Sequence, residues 1–259
     1  MMTQHQSLLE ARRVIQMIVA SRHDRPSLVS TIASEIGADI VEGIITPGQD
    51  LNTVELSKQY QSSRTPVREA LILLEAEGLV SIPPRKRPHA KILSIEEIRE
   101  IYRTRAALLE FIATDVANLA DEKDIAVLKA LLEKMRVAVK QRDARASVWL
   151  SVEFHDINTS IARNQTVKRI IDSLLLRTLP IRRLSLSLPS RVEDSLDDHI
   201  RLVGAYEHRD PFLASAILRA NHVASLAAVE SYFKQTGQLT TASHSTPSHS
   251  KEKMHGAVA

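Results

Sequence analysis

Cysteine is absent from this 259-residue chain, and aromatic residues make up only 3% of it. The first absence excludes disulfides, thiolate zinc sites and cysteine nucleophiles together. The second leaves any interior to Leu, Ile, Val and Ala. Glycine is scarce at seven residues, whereas Ala, Leu, Glu, Lys and Arg are plentiful, a balance that favours helices over sheets. Also lacking is an unbroken apolar run near the roughly 18 residues that a bilayer requires. From Met1 to Arg22 the apolar series Leu8, Leu9, Val14, Ile15, Ile18 and Val19 is interrupted by Glu10, Arg12 and Arg13. That stretch lacks the layout of a signal peptide and reads as an amphipathic helix. The expectation is a cytoplasmic protein with no membrane partner.

Net charge is only +3, so its distribution is more informative than its sum. Between Arg64 and Lys91 there are six Lys/Arg (Arg64, Arg68, Arg85, Lys86, Arg87, Lys91) against three acids (Glu69, Glu75, Glu77). Cationic charge is gathered in one stretch.

Residues 1–25 read as an N-terminal extension with helical pattern. From Leu28, apolar residues recur at three- and four-residue intervals (Ile32, Ile36, Ile40, Ile44) until Pro47-Gly48 imposes a turn. Asn52 or Thr53 is a candidate N-cap for a short helix that turns Leu56 inward. Ser63 is the candidate N-cap of the next helix, with Pro66 in its first turn and Gly78 at its end. This helix buries Val67, Ala70, Leu71 and Leu74. Leu79 to Ile82 reads as a strand, Pro83 to His89 as a loop and Ala90 to Leu93 as a returning strand. Three helices and a hairpin over 26–93 are the layout of a winged helix-turn-helix.

Ser94 and Glu97 form a capping box that opens an all-helical region over 94–235. Periodicity predicts helices over 95–120, 122–142, 144–163, 166–187, 191–208 and 211–234, with Asn164 as a helix C-cap. Six helices with short connections make an antiparallel bundle. The fold class is therefore mainly α, a winged helix-turn-helix followed by a six-helix bundle. The segment 236–259, rich in Ser, Thr, His and Gly, reads as a disordered tail.

A helix entering the major groove presents its N-terminal residues to phosphates and base edges. Ser63 and Thr65 carry hydroxyls for phosphate, and Arg64 and Arg68, four apart, share one face and can pair with guanine. Arg85, Lys86, Arg87 and His89 fall at the hairpin, where a wing meets the backbone or minor groove. These are the candidate DNA-binding residues.

Residues 28 to 93 resemble the N-terminal domain of the GntR regulators. The resemblance rests on Ile45-Thr46-Pro47-Gly48, Leu51, Glu55-Leu56-Ser57, the run Ser63-Arg64-Thr65-Pro66-Val67-Arg68-Glu69-Ala70-Leu71, and Leu74 to Val80. In that family the residues matching Ser63, Arg64, Thr65 and Arg68 contact DNA. The family wing usually carries Gly after an Arg, whereas this chain reads Pro84-Arg85-Lys86-Arg87-Pro88-His89.

The bundle resembles the sensor domain of the FadR branch of that family, the FCD type in its six-helix VanR-like form. Ile101-Tyr102, Arg105, Phe154-His155 and Asn164, and His199 followed by Asp210, carry the likeness. The branch implies a metal held by an Asp four residues before His155 and by three histidines. Here that Asp position is Ser151, and counting from Asp210 places the last histidine at Asn221, with His222 one residue on. One residue is a turn of about 100° on a helix, so His222 is expected to point elsewhere. Two readings remain: a divalent metal, zinc or nickel, on His155, His199 and His222; or a metal-free pocket. In the second, Arg105, Ser151, His155, His199, Asn221 and His222 bind a carboxylate or sugar-acid-like effector.

The expected function is a ligand-responsive transcriptional regulator that binds a palindromic operator as a homodimer. No Gly-rich phosphate loop or Ser/His/Asp arrangement accompanies the histidines, so an enzyme is not expected. The alternatives are a metal-dependent helical enzyme and an architectural DNA-binding protein.

Overall fold

The structure is a computed structural model that describes residues 1–20, 27–188 and 190–236. Helix α1 (Gln4–Ala20) precedes α2 (Leu28–Val41), α3 (Thr53–Gln59), α4 (Arg64–Ala76), β1 (Val80–Ser81) and β2 (His89–Ala90). Six further helices follow: α5 (Ile95–Leu119), α6 (Glu122–Lys140), α7 (Ala144–Ile161), α8 (Gln165–Ser187), α9 (Arg191–Glu207) and α10 (Pro211–Thr236). The tail expected over 236–259 lies, Thr236 apart, outside the described residues.

Capping residues set most of these boundaries. Asn52 caps α3 by accepting the Val54 N–H at 3.0 Å. Ser94 accepts the Glu97 N–H at 3.1 Å while Glu97 accepts the Ser94 N–H at 2.9 Å, closing the expected capping box. Gly78, at φ +75°, ends the turn after α4 where a side chain would be strained. Asn164 corrects its expected role: it opens α8, accepting the Val167 N–H at 3.1 Å. Helix α7 has already ended at Ile161, and Arg163 at φ +55° turns the chain before Asn164.

The hairpin is shorter than its sequence suggests. Only Val80 with Ala90 and Ser81 with His89 pair, so His89 belongs to the returning strand and not to the loop. Pro83, Pro84 and Pro88 supply no N–H for a longer ladder. Residues 48–51 line the other side of β2 instead, through Gly48 N to Ala90 O (2.9 Å), Ala90 N to Gln49 O (3.0 Å) and Leu51 N to Pro88 O (2.7 Å).

Helix α1 is built into the core. Its Ala11, Ile15, Ile18 and Val19 join α2, α4 and β1 in one apolar cluster that also takes in Trp149, Val152, Leu175, Leu176 and Leu179 of α7 and α8. Gly37 permits a close approach: a Cβ there would lie 2.9 Å from Ile15 Cδ1 and 3.1 Å from Leu74 Cδ2. A second cluster fills the bundle around Leu109, Phe154, Leu202 and Tyr206. Helix α10 is long and apolar enough to span a membrane by composition. It nevertheless packs along α5, α8 and α9, burying Ala214, Ile217, Leu218, Asn221, His222 and Val229.

Candidate nucleic-acid interface and buried polar centre

The helix α4 separates its two faces as the sequence requires. Val67, Ala70, Leu71 and Leu74 are buried, while Ser63, Arg64, Thr65 and Arg68 are exposed. Ser63 holds the N-cap position without using its side chain to cap, which leaves the hydroxyl open to a phosphate. Neither Arg64 nor Arg68 makes an ion pair among the described residues, so both guanidiniums are available to DNA. At the wing, Lys86 N donates to Pro83 O at 3.2 Å, and Arg85 sits at φ +60° behind Pro84. Proline second and positive φ third is the layout of a type II turn, with Arg85 where glycine is usual. Arg85 and Lys86 project at the tip and are exposed. Arg87 instead pairs with Asp50 at 3.7 Å, and His89 is half-buried in β2 with Nδ1 3.3 Å from Arg87 O.

Inside the bundle, polar residues recur at three- and four-residue spacing on five helices, so each helix turns them to one face. Tyr102 and Arg105 come from α5, Ser151 and His155 from α7, and Thr178, Arg182 and Ser185 from α8. Arg191, Ser195 and His199 come from α9, and Asn221, His222 and Ser225 from α10. The His155 ring centroid lies 5.8 Å from that of His199 and 5.6 Å from that of His222. His222 therefore faces the cluster, against the expectation from counting. Asn221 turns its amide to Asp198 Oδ2 at 3.0 Å, and its carbonyl accepts from Arg191 Nη2 at 3.0 Å.

Hydrogen bonding fixes the imidazoles. Nδ1 of His199 bonds the Ser195 carbonyl, and Nδ1 of His222 bonds the Leu218 carbonyl at 3.0 Å. A neutral ring that donates through Nδ1 presents a lone pair at Nε2. Among the described residues, Nε2 of His199 and both ring nitrogens of His155 have no hydrogen-bond partner, nor do Arg182 Nη1, Arg191 Nε and Nη1, or Ser185 Oγ. Burial pushes His199 down to about 4 and His222 to about 3, and holds His155 well below its usual value, with Arg182 adding to the effect on each. All three are neutral at neutral pH. Burial, with Arg105 facing it, lowers Arg182 to about 9, which leaves it charged.

Arg105 and Arg191 are buried, and neither they nor Arg182 form a salt bridge among the described residues. Arg105 has a single long contact, 3.5 Å to Ile171 O. The carboxylates nearest in charge are engaged elsewhere: Asp172 with Lys168 at 3.4 Å, Asp198 with Asn221. The centre thus concentrates positive charge that, among the described residues, Asp172, Asp194 and Asp198 offset only from beyond salt-bridge distance.

That charge bears on the choice between metal and anion. A divalent cation here would meet three guanidiniums, a hydroxyl at Ser151 in place of a carboxylate, and no acid among the inward-facing groups. No group of three His, Asp or Glu with metal-holding geometry occurs among the described residues. The donor set does not fit zinc or nickel. Sequence reading missed Arg182, Arg191, Thr178, Ser185 and Ser195; the signal was the four- and three-residue spacing of Thr178, Arg182 and Ser185 along α8.

Comparison with known proteins places these two regions. Residues 28–88 match the family described as bacterial regulatory proteins, gntR family, and residues 100–225 match the FCD domain. The chain is 30% identical over 172 residues to the HTH-type transcriptional repressor RspR of Escherichia coli, covering 66% of this chain and 75% of that one. It is 28% identical over 202 residues to the gluconate operon transcriptional repressor of Bacillus subtilis, covering 73% and 80%. In fold it is similar to the solved structure of E. coli McbR/YncC, with a TM-score of 0.69 and 21% identity over 81% of this chain and 100% of that one.

Proposed function

The chain belongs to the GntR family of bacterial regulatory proteins, with an FCD domain, and from that premise we propose a cytoplasmic repressor that an organic anion releases from DNA. Residues 26–93 form the operator-binding unit. Residues 94–235 form the sensing and dimerising unit. Two copies place their α4 helices in successive major grooves of a palindromic operator. Ser63, Thr65 and the open N–H groups of α4 take phosphate, Arg64 and Arg68 read bases, and Arg85 and Lys86 take the flanking backbone. Repression is the activity in the printed names of the E. coli and B. subtilis relatives.

The observation that carries the effector reading is the set of three enclosed guanidiniums, Arg105, Arg182 and Arg191, without an ionic partner. Enclosed charge without a partner is costly, and a carboxylate accepting several N–H bonds relieves it. His155, His199 and Ser185 supply further unpartnered polar atoms around the same position.

Operator binding followed by fluorescence anisotropy tests both halves. Arg68→Ala is expected to weaken operator affinity by about 10-fold or more, from the ordinary worth of a paired guanine contact. Full affinity in that variant removes α4 as the reading element. Thermal-shift screening of organic acids is expected to give stabilisation that Arg182→Gln abolishes; the same shift in the variant removes the anion reading.

A further inference from the structure

We propose that the effector is an amphipathic monoanion, a carboxylate whose charged end enters the arginine–histidine recess and whose apolar body lies under α1. This deepens the reading above and rests on it: the recess must take an anion for the apolar body to be placed.

Size is the first argument. The recess between Arg105, Arg182 and His222 has about 20 Å³ of free volume. That is room for a water or the oxygens of one carboxylate, not for an organic acid. Arg105 also borders a second cavity of about 620 Å³ between α1 and the α7–α8 face, and His155 stands in the same wall. A cavity of that volume is ordinary for a small ligand.

The second argument is the lining. Leu9, Val14 and Met17 of α1 face Leu150, Val152 and Leu175 across this cavity. Methionine and leucine side chains adapt to an apolar guest without demanding polar partners. Among the described residues the cations bordering the cavity are Arg105, Arg13 and the Met1 ammonium; Arg13 is paired with Glu10 at 3.5 Å and the ammonium with Asp143 at 4.0 Å, while Glu153, Asp156 and Asp172 also border it. A second carboxylate on the ligand would find no free positive charge there. One charged end and one apolar end match what the two spaces on either side of Arg105 offer.

Arg105 lines both spaces, and His155 stands in the wall of the larger one. His155 is 4% exposed, and neither of its ring nitrogens has a partner among the described residues. A carboxylate on Arg105 supplies an acceptor for its N–H.

The chain's single tryptophan, Trp149, lines the same cavity and reports occupancy directly. Titration of the full chain with acetate, butyrate, hexanoate, octanoate, benzoate, gluconate and hexanol, by calorimetry and tryptophan fluorescence, tests the proposal. Affinity is expected to rise about three- to fourfold per methylene through hexanoate, with a fluorescence change that acetate does not give. Leu9→Gln and Met17→Gln alter side chains that are half exposed, at 48% each, so folding is retained. Both variants are expected to weaken octanoate at least fivefold and leave acetate unchanged. Equal binding of acetate and octanoate, or selective gluconate binding, overturns the amphipathic ligand and leaves the anion reading standing. Binding of hexanol as tight as that of hexanoate, or no binding by any acid, overturns both.

Discussion

Arg183 of α8 lies 2.6 Å from the carboxylate of Glu42, the residue that ends α2. The Glu42 side chain is 1% exposed, and it also accepts the Ser7 hydroxyl at 2.8 Å. Ser7 Oγ in turn accepts from Trp149 Nε1 at 2.8 Å. One buried network thus joins α1, α2, α7 and α8. The neighbouring residue, Arg182, stands in the recess, so a single turn of α8 touches both the arginine–histidine recess and the helix-turn-helix region. Pro180, two residues earlier, removes one backbone hydrogen bond from the helix and makes it easier to bend there.

Arg183→Ala is therefore expected to cut the link while sparing the recess. It leaves Glu42 enclosed and unpaired, a change that costs about 3 kcal/mol in buried pairs. Arg183 is itself 27% exposed on its side chain, which lowers that figure. In the variant, calorimetry should show anion binding at its parental affinity. Anisotropy should show operator affinity that no longer responds to the anion. A parental response in the variant would exclude this junction as the transmitting contact.

The parts of this layout that could be read from sequence are those set by local rules. Helix limits followed apolar spacing and caps, as Asn52 and Ser94 illustrate, and the two faces of α4 followed from four-residue spacing alone. The short wing was hidden because proline removes ladder donors without changing the apolar pattern. Two of the inward arginines were hidden for a different reason: arginine is usually a surface residue, and only packing of five helices shows Arg182 and Arg191 turned inward beside Arg105. His222 was misplaced by counting. Helix α10 is covered by α5 on one side and by α8 and α9 on others, so its buried arc is wide enough for both Asn221 and His222.

At the wing, Arg85 occupies a left-handed conformation at φ +60° that costs a non-glycine residue about 1 kcal/mol. Arg85→Gly is expected to raise stability by up to about that amount, read from the urea midpoint. It also removes a tip cation, so the slope of log affinity against log salt should fall by about one per wing. A variant that gains stability and keeps the parental salt slope would show that Arg85 does not touch DNA.

Acid should destabilise the bundle through its three enclosed imidazoles. In the unfolded chain they take up protons near pH 6.5, whereas in the folded chain burial holds His199 to about 4 and His222 to about 3, with His155 also well lowered. Their neutral forms are thus fully compatible with folding above pH 6.5. Between about pH 6.5 and 4 the unfolded state binds more protons, so stability falls as pH falls. Each histidine contributes at most about 1.4 kcal/mol per pH unit in that window. Urea unfolding at pH 7.5, 6 and 5 should show the decline, and His199→Gln should reduce its slope by about one third. An unchanged slope in that variant would mean that His199 is protonated in the folded state as readily as in the unfolded one.

Ser151 stands at the position where a metal-holding carboxylate would be needed. Ser151 is buried four residues before His155, one helical turn along α7, and it lines the recess. A hydroxyl there adds no negative charge, so the guanidiniums dominate and are expected to repel zinc or nickel. Ser151→Asp would place a carboxylate beside His155 and offset part of the positive charge of Arg105 and Arg182. Two opposite shifts are expected in one protein: zinc or nickel should begin to stabilise it, and affinity for carboxylates should fall at least 10-fold. The parent should show no thermal shift with either metal and no change in operator affinity on adding a chelator. Metal-dependent stabilisation of the parent would mean that three neutral imidazoles suffice against the surrounding arginines, and the anion reading of the recess would then fail at its electrostatic premise.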